Sequence, residues 1–299
     1  MSSSSSSSAT SSALIAAFWM SGAHASFISM AVAGRAIQTE LNTFELMAYR
    51  SVVGFVLVCL VIAFSKDRFA QVKTTKAGTH VLRNLFHFTG QNLWFYGITV
   101  IPLAQLVALE FSSPIWVALL APLMLGESMT RSKFIGAMIG FIGVLVVARP
   151  GIAPLELGHL AGLGASIGFA MNTLFTKKLM RTDTTLCVLF WMTASQAVMG
   201  FALAAPGGVT MFSLGMAPWI VLVGVAGLSA HYCLTSALRR APATIVAPME
   251  FARLPLIAIV GMVIYSEPLE LAVFAGAALI LAGNLYNIIA QRRLRNAAA

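Results

Sequence analysis

The sequence predicts an all-α integral membrane protein of ten transmembrane helices, arranged as two inverted five-helix repeats. Three observations carry this. The chain has 299 residues, of which 59% are hydrophobic and only 10% charged, whereas a soluble domain averages roughly 25% charged. A single core of this size could not hide so much apolar surface. An ordinary soluble enzyme, a nucleic-acid-binding domain and a disordered protein are therefore excluded. Second, apolar stretches recur along the chain, each close to the ~20 residues that a helix needs to cross a bilayer. Third, the chain resembles itself at a displacement of 140 residues, Pro102 falling on Pro242.

Taken in order, residues 2–8 are an unbroken serine run, and residues 1–12 read as a disordered tail. The spans follow at 13–34, 44–64, 79–100, 102–125, 133–149, 158–180, 186–205, 216–239, 242–265 and 268–290. Residues 291–299 form a basic tail. Strands are not expected, because an open sheet leaves backbone groups unpaired in lipid. Ala23-His24-Ala25 resembles a cleavage site, but no basic residue precedes the apolar run as a signal peptide requires. Cys59, Cys187 and Cys233 lie in apolar runs with no Cys/His ligand spacing, so they read as small buried hydrophobes and no metal is expected.

Orientation follows from Lys and Arg. With the N-terminus inside, fifteen of the nineteen fall in inner loops and ends; only Arg35 and Arg149 fall outside, and Arg50 and Arg253 lie within helices. This bias places both termini in the cytoplasm. It also accounts for the formal charge of +9 without invoking a nucleic-acid partner.

The repeat is specific. Glu110-Phe111 falls on Glu250-Phe251, Glu127 on Glu267, Phe134 on Phe274, Gly136-Ala137 on Gly276-Ala277 and Gly143 on Gly283. Helices four and five thus map onto nine and ten. The halves are 13–149 and 158–290. Five helices per half is an odd number, so the halves enter the membrane in opposite directions. Such inverted repeats characterise secondary transporters, with the substrate site near the midplane between the halves.

At these residues the chain resembles the drug/metabolite transporter superfamily, in its EamA-type branch. The pattern is Tyr49-Arg50, Phe95-Tyr96-Gly97 leading to Ile101-Pro102, Gly126-Glu127, the stretch from Gly136 to Gly143, and the second copy in Glu267, Gly276 and Gly283. The resemblance implies a ten-helix carrier in a bacterial inner membrane, moving small metabolites through a central cavity. Members handle amino acids, S-adenosylmethionine, riboflavin and other organic solutes. The stretch from Arg83 to Trp94 departs from the family pattern, being richer in amide and imidazole groups.

Polar groups inside a membrane are costly, so each is a candidate site. Asn84, His87, Gln91 and Trp94, spaced by three, four and three, share one face of helix three, and Asn92 lies beside them. The row serves either as substrate contacts or as interhelical glue. His231 and Tyr232 occupy the repeat positions of Gln91 and Asn92. Trp19, His24 and Ser26 on helix one, and Ser166, Asn172 and Thr176 on helix six, complete the candidates. Of these, Trp19, His87, Gln91, Asn92, Trp94, Asn172, His231 and Tyr232 are the expected substrate-binding set.

Glu110, Glu250, Arg253 and Arg50 are the intramembrane charges, serving coupling or structure. Arg253 is three residues after Glu250 and can pair with it on one helical face; Arg50 is the spatial partner open to Glu110. Glu127 and Glu267 read as caps of the following helices. Gly136/Gly140 and Gly164/Gly168 allow close helix approach, and Pro114, Pro122, Pro248 and Pro255 interrupt helices four and nine.

The expected function is alternating-access transport of a small organic metabolite, with a planar vitamin-like solute such as riboflavin ranked first. An amino acid or S-adenosylmethionine is the alternative within that class. A non-transporting membrane scaffold is the alternative outside it, with a membrane-embedded enzyme weaker still. No phosphate loop or catalytic triad is found, so no cofactor and no enzymatic activity are expected. The bilayer is the obligatory partner. Protons as coupling ion and a homodimer stay open.

Overall fold

The computed structural model describes residues 3–126, 129–150, 154–241 and 243–298. Twelve α-helices build ten spans among them. They are α1 (Ser3–Ile37), α2 (Thr43–Phe64), α3 (Ala77–Val100), α4 (Leu103–Glu110), α5 (Ser113–Leu125), α6 (Arg131–Ala148), α7 (Leu157–Leu179), α8 (Thr185–Ala204), α9 (Ala217–Arg240), α10 (Ala243–Phe251), α11 (Arg253–Tyr265) and α12 (Leu271–Ala298). The helical backbone of α1 begins at Ser3.

Among the described residues, seven stretches are long and apolar enough to cross a membrane by length and composition alone: Leu14–Ile37, Thr43–Phe64, Leu103–Leu125, Arg131–Ala148, Thr185–Gly207, Ala217–Arg240 and Leu271–Gln291. The remaining spans are α3, α7 and the broken pair α10–α11. The polar residues of α3 and the short segments of α10–α11 account for their weaker signal.

Spans four and nine are each broken near the middle. Leu103–Glu110 gives way to Ser113–Leu125, and Ala243–Phe251 to Arg253–Tyr265. Proline has no N–H, so Pro114 leaves the Glu110 carbonyl without its intrahelical donor, and Pro255 does the same to Phe251. Pro122 stays within a continuous α5. Pro242, expected to open span nine, lies outside the described residues, and so does Glu127.

The packing obeys the repeat. The largest helix contacts are α1 with α9, α3 with α7, α2 with α8 and α6 with α12. Exchanging the halves turns the first pair into the second and returns the last two to themselves. At the α6–α12 crossing, Gly143 meets Gly276 and Gly136 meets Gly283. Because Gly136 corresponds to Gly276 and Gly143 to Gly283, this crossing lies on the pseudo-twofold axis. A Cβ at Gly143 would stand 2.5 Å from the Gly276 carbonyl oxygen. Backbones therefore touch here, which only glycine permits.

The core lies where both halves meet, around Phe95, Ile98, Leu106, Leu109 and Val144. The apolar side chains left outside it, such as Leu60, Phe134 and Val263, face outward from the bundle. An outward apolar coat is what a bilayer requires.

Candidate functional site

A cavity of about 320 Å³ occupies the interface of the halves, within the range of small-molecule sites. It is reached from α1, α2, α3, α7, α9 and α12 and from the broken spans. His87, Gln91, Trp94, Asn172 and His231 line it, with Arg50, Glu110, Glu250 and Arg253. Asn284 and Asn287 add two amides from α12 that the sequence reading missed. Their spacing of three on an apolar span was the available signal.

Three expected contacts lie elsewhere. Trp19 packs edge-on against Tyr232, with centroids 5.6 Å apart, under the Arg240 guanidinium. Tyr232 is 65% exposed on the outside of the bundle. Asn92 turns back to donate to the Phe88 carbonyl at 2.8 Å. Asn92 and Tyr232 each follow a cavity residue by one position, and one residue rotates a side chain about 100° around a helix. Asn84 serves as interhelical glue: its amide donates to the Trp191 carbonyl and to Ser195 Oγ on α8. Arg83 donates to Asn84 and to Thr176. Ser166 accepts from Ser112 and Trp116.

The charges pair differently from the sequence expectation. Arg253 donates to Glu110 across the halves at 2.7 Å, and Trp94 Nε1 donates to the other Glu110 oxygen at 2.9 Å. Phe27 and Phe111 cover the Arg253 guanidinium at 4.5 and 4.9 Å from their centroids. Arg253 does not pair with Glu250, because α10 ends at Phe251 and α11 begins at Arg253. The three-residue rule needs a continuous helix. Glu250 therefore faces the cavity with no ion pair among the described residues. Arg50 likewise has no carboxylate partner among them. It touches Met47 Sδ at 3.8 Å and lies 5.4 Å from the Phe95 ring centroid.

Several buried polar atoms are unpaired: Gln91 Oε1, Asn172 Oδ1 and Arg253 Nε, all on residues that line the cavity. Leaving such groups without a partner costs roughly 1–3 kcal/mol each. Water or a solute entering the cavity would supply the missing bonds.

Opposite the chain termini the bundle is sealed by polar contacts between the halves. Arg35 pairs with Glu267 at 2.6 Å and donates to the Ile98 carbonyl at 2.5 Å. Glu267, expected to cap its own following helix, instead accepts the Leu103 N–H of α4 at 2.8 Å. Three residues lie between it and the start of α12 at Leu271, too far for a cap there. Arg149 pairs with Glu270, which also accepts from Gln105, and His159 stands 2.9 Å from the Gln105 amide oxygen. The cavity lining reaches Asn172, Leu234 and Ile288 on the side nearer the termini. This geometry is closed on one face and hollow toward the other.

At the termini face, His80 Nε2 stands 2.7 Å from Asp183 Oδ2, which also accepts from Thr74 at 2.6 Å. Cys187 Sγ is 3.9 Å from the same oxygen. Their ligating atoms lie within 4.8 Å of one another, a grouping that sequence spacing does not reveal. The short His80–Asp183 bond makes it a latch between α3 and the loop before α8.

Comparison with known proteins adds to this geometry. The model of the EamA-like transporter family matches residues 14–149 and again 156–289. The S-adenosylmethionine uptake transporter of Rickettsia conorii is 27% identical over 89% of this chain and 89% of its own. The riboflavin transporter of Brucella anthropi is 26% identical over 87% and 92%. An uncharacterised transporter of Helicobacter pylori is 29% identical over 81% and 83%. A crystal structure of a protein 17% identical superposes with a TM-score of 0.60 over 96% of this chain and 99% of that one, a likeness of fold alone.

Proposed function

Because the chain belongs to the EamA-like transporter family, we propose that it carries a cationic or zwitterionic small metabolite, of the amino-acid or S-adenosylmethionine kind, by alternating access. It is a multi-pass membrane protein and a small-metabolite transporter. The bacterial inner membrane with both termini cytoplasmic is the placement that the Lys and Arg distribution favours.

One observation supports the substrate class: Arg253 gives its ion pair to Glu110, while Glu250 faces the cavity with no salt bridge of its own among the described residues. A buried carboxylate without a partner is costly, and a solute cation removes that cost. The free acceptors Gln91 Oε1 and Asn172 Oδ1 act in the same sense, since they call for N–H donors. The aromatic walls Phe27, Trp94, Phe111 and Phe251 suit a ring or a sulfonium. The broken spans four and nine supply the elements that move, as discontinuous helices do in repeat-built carriers.

A second reading keeps riboflavin. The same aromatic walls and amides suit a neutral planar heterocycle, and a relative carries that name.

Thermal unfolding of the purified protein with S-adenosylmethionine, amino acids and riboflavin separates the two. A ligand at a hundred times its Kd stabilises by about 2.7 kcal/mol. The proposal expects a shift with S-adenosylmethionine or an amino acid that disappears in Glu250→Gln. A shift with riboflavin alone, kept in Glu250→Gln, overturns the charged-solute reading and leaves the carrier. Uptake of the stabilising solute into proteoliposomes then tests transport itself.

A further inference from the structure

Behind the main cavity lies a smaller chamber of about 20 Å³. Arg50, His87, Gln91 and His231 line both spaces, so they form the wall between them. The far side is α8, through Thr193 and Gln196, and α9, through Gly224 and Gly227. The chamber exceeds the ~10–15 Å³ that one water needs. At that size it holds a single water or the tip of a polar head group, and no ring.

We propose that this chamber is the subsite for the substrate's carboxylate, with Arg50 as the group that binds it. The inference rests on the charged-solute reading of the main cavity. Arg50 is 9% exposed and has no carboxylate partner among the described residues. A buried guanidinium in that condition is strongly disfavoured unless an anion completes it. Its planar fork matches a carboxylate through two parallel hydrogen bonds. Glycine at 227 makes room for the fork: a Cβ there would stand 2.8 Å from Arg50 Nη2.

The neighbours supply further hydrogen bonds. Gln196 Nε2 stands 3.1 Å from His87 Nδ1. With the amide as donor, the neutral imidazole carries its proton on Nε2 and is a second donor on the wall. Gln91 offers an amide at the threshold, buried at 7% exposed. Among the described residues no carboxylate lines the chamber, whereas Glu110 and Glu250 line the larger cavity. The two spaces thus divide a zwitterion: its cation lies toward Glu250 and its carboxylate toward Arg50.

The test is a ligand-by-protein cycle in detergent, measuring Kd for S-adenosylmethionine and for its decarboxylated counterpart. The wild-type protein is expected to prefer the carboxylated compound by about ten- to a hundredfold, the usual worth of a hydrogen bond to a charged group. Arg50→Gln is expected to abolish that preference while leaving the decarboxylated compound's Kd within about threefold, well under the usual worth of a charged hydrogen bond. Arg50→Lys keeps part of the preference. Gly227→Ala retains the arginine and crowds its fork, so it should reduce the preference even if Arg50→Gln does not fold. A preference unchanged in Arg50→Gln and Gly227→Ala overturns the subsite and leaves the cavity reading standing. Failure of the wild-type protein to bind either compound overturns both.

Discussion

Gly143→Ala is expected to loosen the junction of the two halves by a calculable amount. The new methyl would stand 2.5 Å from the Gly276 carbonyl oxygen, 2.8 Å from Ile280 Cγ1 and 2.9 Å from the Ile280 nitrogen. Two of these neighbours are backbone, so no rotamer change relieves them. Ordinary contact begins near 3.5 Å, and α6 must move from α12 by about 1 Å. A gap of that size forfeits a quarter to a half of each van der Waals contact along the crossing. Gly164→Ala is the matched control. Its methyl meets only Leu93 Cδ1, at 2.8 Å, the end of a side chain that can turn away. Both substitutions gain the same ~0.8–1.0 kcal/mol of helix propensity. Their difference isolates overpacking, about 1–3 kcal/mol. Equilibrium unfolding by sodium dodecyl sulfate, followed by circular dichroism, reads that difference. Equal stabilities for the two variants would refute the reasoning, because they would mean that the backbones at the axis are not in contact.

Arg253→Ala leaves the half-buried Glu110 without its ion-pair partner, with only Trp94 Nε1 still donating to it, and should cost about 3 kcal/mol in the same unfolding assay. The double variant Glu110→Gln/Arg253→Met should recover most of that loss. Glu267→Gln removes the partner of Arg35 and weakens the cap of α4. A single cysteine at Asn284, with Cys59, Cys187 and Cys233 replaced by serine, should then react several-fold faster with an impermeant maleimide applied to the sealed face; an unchanged rate counts against the seal. At Asp183, burial alone would raise the carboxyl's pKa, but hydrogen bonds from Thr74, His80 and Thr182 outweigh it and hold it below the usual aspartate value. The latch therefore adds stability at neutral pH and loses it as the pH falls through and below the ordinary aspartate range. The melting temperature of Asp183→Asn should fall below that of the wild type at pH 7, and the two should converge in acid.

What the sequence makes legible is local or repeated. Span length and apolar content are properties of a continuous window, so the helices are readable from composition. The twofold order follows from Glu110 falling on Glu250 and Gly143 on Gly283. Pairing across the bundle is not local. The Glu110–Arg253 bond joins residues 143 positions apart, and nothing in the interval marks it. The nearer alternative, Glu250, is removed by a helix break one residue wide at Ala252. Polar rows on α3 direct attention to the cavity, but Asn92 and Tyr232 show that a neighbour in sequence is a quarter-turn away in space. Asn284 and Asn287 are legible in principle, because two amides three residues apart are costly in an apolar span.

The four cavity charges bear on energy coupling. With both carboxylates ionised and the histidines neutral, Glu110, Glu250, Arg50 and Arg253 sum to zero, and the empty site carries no net charge. Reorientation of the unloaded protein then does no work against the membrane voltage. A solute of net charge +1 carried on this neutral site takes the whole electrical step itself, about 2.3 kcal/mol for each 100 mV. An inside-negative potential would accumulate such a solute about fiftyfold at 100 mV without a proton, whereas a zwitterion of zero net charge would only equilibrate. The voltage dependence of uptake would thus count the charge on the cargo.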